Sequence, residues 1–204
     1  MISQLVHWDH SLFLFLNGMH NEFWDVVMYW TSEKLTWIPL YVIWLIYIIR
    51  KQKYYSVIYL LFVALLITCS DQASVHFFKN IFMRLRPCHE PLLQGMVHTV
   101  NGECGGDFGF VSSHAANFFA LAMFFTRTIG RDFKKYAWIS FVLAAYISYS
   151  RIYLGVHFPG DVLCGSILGL LIGFLISILY HFFINKYFPH TLVDHFGKKK
   201  CNVE

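Results

Sequence analysis

Three separated stretches of this chain hold the residue types that phosphoryl chemistry requires. They are Lys79 to Pro87 (KNIFMRLRP), Ser112 to His114 (SSH) and Ser150 to Asp161 (SRIYLGVHFPGD). Moving a phosphoryl group needs cations around its oxygens, a nucleophile in line with the leaving group, and an acid to protonate that group. Lys79, Arg86 and Arg151 can supply the cations, His157 the nucleophile and His114 the acid. Asp161 follows His157 by four residues and can hold the proton on the second ring nitrogen, which fixes the tautomer and stabilises positive charge as a bond forms. Ser112, Ser113 and nearby backbone N–H groups add neutral donors to phosphate oxygens.

Each stretch alone is weak. An isolated Arg-Pro at the end of an apolar span reads as an interfacial anchor, and most of the eleven histidines carry no motif. Arg84 matches no required position and reads as an interfacial or headgroup contact. A metal site is the rival use of His157 and Asp161. Pro159 between them disfavours one continuous helix, and a divalent ion would compete with the three cations for the same space. The expectation is therefore catalysis without a metal or other cofactor.

The order Lys-six residues-Arg-Pro, then Ser-x-His, then Ser-Arg-three residues-Gly-x-His-three residues-Asp resembles the type 2 phosphatidic acid phosphatase superfamily. Lys79, Arg86 and Pro87 match the first motif, and Ser150, Arg151, Gly155, His157 and Asp161 match the third. In the second, the family's Pro and Gly are replaced by Val111 and Ser113, while Ser112 and His114 remain. The resemblance covers about residues 36–185. It implies an all-α membrane bundle that removes phosphate from a lipid phosphate or diphosphate through a phosphohistidine, with the residues above in the roles given. Undecaprenyl diphosphate and lipid A lead as substrates, with phosphatidylglycerophosphate and phosphatidate behind them. The alternatives are a phosphotransferase with a hydroxyl acceptor, and a lipid-phosphate binding or transport protein without turnover.

Composition points the same way. The 204 residues are 57% hydrophobic and 14% charged, and the mean hydropathy is +0.50. A soluble domain carries about 25% charged residues, so this chain lacks the charge to cover a water-facing surface. One domain over 1–204 fits, with a lipid and the bilayer as partners, no nucleic acid, and no need of an oligomer.

Five apolar spans must position the motifs: Leu35–Ile49, Ser56–Phe78, Ala115–Thr128, Tyr136–Ile152 and Val162–Ile184. The second and fifth are long enough to cross ~30 Å of hydrocarbon. Arg50, Lys51, Lys53, Arg127, Arg131, Lys134, Lys135, Lys186, Lys198, Lys199 and Lys200 fall on one side if the spans are crossed in order. The positive-inside rule makes that side cytoplasmic and puts residues 79–113 in an external active-site loop, with 186–204 as a cytoplasmic tail. The expected location is a bacterial inner membrane with the site on the periplasmic face. Lys34 stands alone on the external side.

Residues 1–34 lack the pattern of a secretory signal. Leu5, Trp8, Leu12, Phe13 and Leu16, then Phe23, Val26, Val27 and Trp30, recur at helical spacing around Asn17-Gly18. This predicts two amphipathic helices lying on the outer membrane face, and a bundle of five to six helices in all. Asp71, inside the second span, is read as a structural polar contact with Gln72 or a neighbouring helix. Cys69 and Cys164 read as small packing residues, whereas Cys88 and Cys104 share the external loop and could form a disulfide in an oxidising compartment. Gly165, Gly169 and Gly173 form a stripe that admits a close neighbour helix, more readily inside the monomer than at a dimer seam.

Overall fold

The computed structural model describes residues 2–129 and 137–188. Arg131, Lys134, Lys135, Lys198, Lys199, Lys200 and Cys201 lie outside the described residues, as does most of the expected 186–204 tail. The described residues form an all-helical fold. Two short helices, α1 (Ile2–Asn17) and α2 (Glu22–Ser32), precede a bundle of five. The bundle comprises α3 (Ile38–Gln52), α4 (Ser56–Gln72), α5 (Ser113–Thr128), α6 (Ala137–Tyr153) and α7 (Pro159–Tyr187). Among the described residues, two helical stretches, Lys34–Phe82 and Pro159–Tyr187, are long and apolar enough to cross a membrane.

Helix boundaries follow local chemistry. Asn21 starts α2 by accepting from the Trp24 N–H at 3.0 Å, and Ser112 starts α5 by accepting from Ala115 N–H at 3.4 Å. Pro159 opens α7, where a missing N–H costs nothing. Past Gln72, α4 continues as a π-helical turn, Ala73–Lys79, and a last short turn, Asn80–Phe82. Met83 stops it in the left-handed conformation, φ 44°.

α5 is the centre of the bundle, with α4, α6 and α7 around it. Its small face, Ala115, Ala116 and Ala120, meets the glycine stripe of α7. A Cβ at Gly165, Gly169 or Gly173 would strike the backbone carbonyl of Ser112, Ala116 or Ala120 respectively. The stripe therefore serves packing within the monomer. At the motif-free end, Tyr59, Leu66, Phe124, Tyr180 and Ile184 form a buried cluster, and the Tyr59 hydroxyl meets Thr128 Oγ1 at 2.9 Å.

α1 and α2 sit at the other end, beside the loops that carry the motifs. Phe13 packs with Leu93, Ile152 and Phe158, and Met28 packs with Tyr153, Leu154 and Val156. Asn17 is buried and clips three segments together. Its Nδ2 donates to the carbonyls of Tyr153 (2.7 Å) and His98 (3.0 Å), and its Oδ1 accepts from His98 N–H at 2.8 Å. A buried amide without such partners would cost about 1–3 kcal/mol. The opposite faces of both helices leave Leu5, Trp8, Leu12, Phe15, Phe23, Val26 and Trp30 exposed.

Candidate active site

Each motif is held by a different local device. The third begins as the end of α6 and turns at Gly155, whose φ of 74° suits glycine. Val156 and His157 N–H both donate back to the Arg151 carbonyl, at 3.1 and 3.2 Å. The chain then extends through Phe158 into α7, where Asp161 Oδ2 accepts from Phe158 N–H at 3.0 Å in a capping arrangement. This short turn brings His157 and Asp161 together although Pro159 separates them.

The first motif leaves the helix at Met83 and becomes extended. Leu85 bridges to Phe108, Arg86 N–H donates to the Asp107 carbonyl (3.0 Å), and Gly109 N–H donates to the Arg84 carbonyl (2.8 Å). The loop between these strand-like segments is closed by a Cys88–Cys104 disulfide with 6.1 Å between Cα atoms. Gly109 matters for what it lacks. A Cβ there would lie 3.1 Å from Asp161 Oδ2, 3.2 Å from Arg86 Cγ and 3.5 Å from His157 Nδ1, in the middle of the site. The second motif is tied to the third by Ser112 N–H, which donates to the Asp161 carbonyl at 3.0 Å.

The structure gathers the candidate residues at one end of a cavity. Lys79, Arg86, Ser113, His114, Arg151 and His157 all line a space of about 920 Å³ that runs between α3, α4, α5 and α6, past Trp44, Leu60 and Leu121, to Ile48 and Phe125. A second space of about 430 Å³ opens on the loop side and shares Ser32, Lys34, Arg86, His114 and Arg151 with the first. Lys34, Arg86, Arg151 and His114 thus stand where an apolar-walled chamber meets a more polar one, with Lys79 and His157 on the side of the first.

His157 is buried, and its Nδ1 lies 3.6 Å from Asp161 Oδ2, itself fully buried. The arrangement directs Nδ1 toward the carboxylate and leaves Nε2 for a substrate. Burial, then the charges of Arg86, Arg151 and Lys79, hold the His157 imidazole well below its ordinary pKa, so it is neutral and has a free lone pair. Burial also lowers the Arg86 guanidinium, with Asp161 opposing that effect. Among the described residues, Arg86 Nε and Arg151 Nε have no hydrogen-bond partner. Such buried donors are ready for a ligand's oxygens. Lys79 Nζ donates to Ser113 Oγ at 2.9 Å, Arg86 Nη1 reaches the Val156 carbonyl at 3.4 Å, and Arg151 Nη1 donates to Ser32 Oγ of α2.

A model of the PAP2 superfamily matches residues 55–185. The chain belongs to the PAP2 superfamily. Among its relatives is the lipid A 4'-phosphatase of Bacteroides thetaiotaomicron, 40% identical over 185 residues, which is 89% of this chain and 80% of that protein. The protein of the same name from Porphyromonas gingivalis is 36% identical over 84% of this chain and 72% of its own length. Among solved PAP2-type structures, LpxE of Aquifex aeolicus superposes with a TM-score of 0.59 at 26% identity, covering 83% of this chain and 94% of that one. A phosphatidylglycerolphosphate phosphatase of Bacillus subtilis gives 0.64 at 24% identity over 87% of each chain, which speaks for the fold. The PAP2 fold read from the motifs, an all-α membrane bundle, is the fold found.

Three residues do more than the sequence suggested. Arg84, read as a headgroup contact, instead donates to Asp161 Oδ1 at 2.8 Å and to Asp9 Oδ2 of α1 at 2.7 Å. Lys34 lines both cavities beside His114 and Arg151, as a fourth cation. The sequence assigned it no role, and its isolation from the other basic residues was the signal that could have marked it. Asp71 makes no side-chain bond to Gln72. Both line the large cavity, and the Asp71 backbone carbonyl accepts from Ser74 Oγ at 2.8 Å. Ser112 differs in the other direction, because its hydroxyl caps α5, so Ser113 is the serine that faces the cavity.

Among the described residues, ligand atoms of Cys88, His89 and Cys104 lie within 4.8 Å of one another. Both sulfurs are used in the disulfide, which leaves His89, with Asp107 at 4.0 Å, as an incomplete set.

Proposed function

We propose that this protein is a lipid phosphatase of the bacterial inner membrane that removes a phosphate monoester from lipid A at the extracytoplasmic face. The observation that carries this reading is the junction of the cation cradle with the 920 Å³ cavity, whose walls are mainly apolar helix faces. Such a chamber suits a phosphate that stays attached to hydrocarbon. Its relatives named lipid A 4'-phosphatase favour lipid A over undecaprenyl diphosphate. The basic residues Arg50, Lys51, Lys53, Arg127 and Lys186, all at the end away from the motifs, support a cytoplasmic assignment for that end.

In this mechanism the phosphate dianion settles among Arg86, Arg151 and Lys79, with Ser113 and Lys34 close by. Neutral His157 Nε2 attacks phosphorus. The P–N bond forms as the P–O bond to the lipid breaks, and Asp161 stabilises the charge that appears on the ring. Burial and then the charge of Arg151 hold His114 neutral before substrate binds. It is protonated only as the phosphate dianion arrives to offset those charges, and it gives that proton to the departing lipid oxygen. Water then attacks the phosphohistidine and passes a proton to His114. The P–N bond breaks, and inorganic phosphate leaves with both imidazoles restored. The cations supply the charge stabilisation for which other phosphatases use metal ions.

The test is phosphate release by the purified protein in detergent from lipid A, undecaprenyl diphosphate, phosphatidylglycerophosphate and phosphatidate. Lipid A should give the highest kcat/KM, and activity should survive EDTA and be inhibited by orthovanadate. Loss of activity on chelation with recovery in magnesium overturns the mechanism. A higher kcat/KM for the diphosphate overturns the substrate. Transfer of the phosphate to an added alcohol in place of water would favour a phosphotransferase.

A further inference from the structure

The residue that orients the nucleophile is itself held by a network reaching into α1. Asp161 has its two oxygens in different company. Oδ2 accepts from Phe158 N–H and faces His157, while Oδ1 accepts from Arg84 Nη1 at 2.8 Å. Arg84 does not belong to Asp161 alone, because its Nη2 donates to Asp9 Oδ2 at 2.7 Å. Asp9 Oδ1 in turn accepts from Gly160 N–H at 2.8 Å, in the turn between His157 and Asp161. The guanidinium carbon lies 4.2 Å from the ring centroid of Phe158, on which His10 stacks at 4.7 Å and against whose edge Phe13 packs at 5.3 Å. Three residues of one α1 turn, Asp9, His10 and Phe13, are therefore seated on the turn that carries the two catalytic side chains.

We infer that Asp9 and Arg84 are positioning residues for the phosphoryl-transfer step, acting on His157 through Asp161. Their charges explain why both are needed. A lone arginine against Asp161 would cancel much of the carboxylate's attraction for the His157 Nδ1 proton. A second carboxylate on the same guanidinium shares that positive charge and leaves Asp161 able to act on the ring. Gly160 is small for the same reason, since a Cβ there would lie 2.8 Å from Asp9 Oδ2 and displace it. Neither Asp9 nor Arg84 lines the cavity that holds the phosphate ligands. Their loss should therefore alter the rate of attack and leave capture of the phosphate in place.

This inference rests on the reading of His157 as nucleophile, and Asp9→Asn tests it because the amide keeps the size of the side chain. Asp9→Asn should lower kcat and the rate of phosphohistidine formation about tenfold, by comparison with other groups that orient a catalytic imidazole. KM and orthovanadate affinity should stay within about twofold, as for interactions made only in the transition state. Arg84→Ala should behave alike, and Arg84→Lys, which keeps the charge, should recover part of the rate. Unchanged kcat in Asp9→Asn with an active wild type overturns this inference alone. A rise in KM or loss of vanadate binding with kcat retained overturns it too, because it would make Arg84 and Asp9 headgroup contacts. Wild-type turnover without any phosphohistidine overturns the mechanism itself and this proposal with it.

Discussion

Lys79 Nζ donates to Ser113 Oγ over 2.9 Å, and the same hydroxyl stands 2.6 Å from Ser74 Oγ. The position at which the second motif usually carries glycine thus tethers the lysine of the first motif to the first turn of α5. A flexible ammonium that could wander in the cavity is aimed before a phosphate arrives, which reduces the ordering cost of binding.

Removing the Lys79 charge should weaken binding more than chemistry. A charge-assisted hydrogen bond contributes about 1.5–3 kcal/mol, so Lys79→Ala should raise KM and weaken orthovanadate binding roughly 10- to 100-fold. Ser113→Gly, which frees the ammonium without removing it, should cost about fivefold or less, as for a single neutral hydrogen bond. Equal losses in the two variants would show that the hydroxyl, not the charge, dominates.

The two histidines should separate cleanly. His157→Ala should form no phosphoenzyme and release no phosphate from any lipid. His114→Ala should accumulate phosphohistidine, because the group that activates water is gone. Its phosphorylation step should suffer less on a diphosphate, where phosphate is a good leaving group, than on a monoester, where an alkoxide needs the proton. Acid-labile label found in the His157→Ala variant at the wild-type level would remove His157 from the nucleophile's place.

The pH dependence has a defined sign. Only neutral His157 attacks, and burial together with Arg86, Arg151 and Lys79 lowers its pKa. As pH falls, the attacking form therefore persists below the ordinary imidazole value of ~6.5. The acidic limb of kcat/KM, which reports the free enzyme, should lie below that value. A limb above it would contradict the assignment.

The Cys88–Cys104 bond spans 16 positions of sequence. A loop of that size is worth about 3 kcal/mol in the chain-entropy model. Reduction, or Cys104→Ser, should lower the melting temperature while changing orthovanadate affinity much less, since Arg86 keeps its own backbone bond to Asp107. An unchanged melting temperature after verified reduction would set this aside.

Much of this molecule was legible because its signals are local. Spans of apolar residues fixed the helices of the bundle, and motif spacing picked out Lys79, Arg86, His114, Arg151 and His157, which the structure brings to one cavity end, and Asp161, which stands behind His157. What escaped depends on contacts far apart in sequence. Arg84 and Asp9 are 75 positions apart, and nothing at either position points to the other. Asn17 reads as the end of a helix, yet its amide is bonded to a carbonyl 136 positions away. Asp71 reads as a buried polar contact because periodicity cannot reveal that the helices leave a chamber beside it. The π-helical turn Ala73–Lys79, which carries the first-motif lysine, has no sequence signature either.

The glycine stripe of α7 has a consequence for catalysis. His114 rides on α5, whereas His157 and Asp161 are attached to the start of α7, so the gap between acid and nucleophile is the gap between two helices. Where Gly165, Gly169 and Gly173 meet Ser112, Ala116 and Ala120, that gap is set by hydrogen atoms in place of side chains. The stripe acts as a gauge block, and one methyl added at Gly169, far down the helix from any phosphate, would be read out as a wider distance between the two imidazoles.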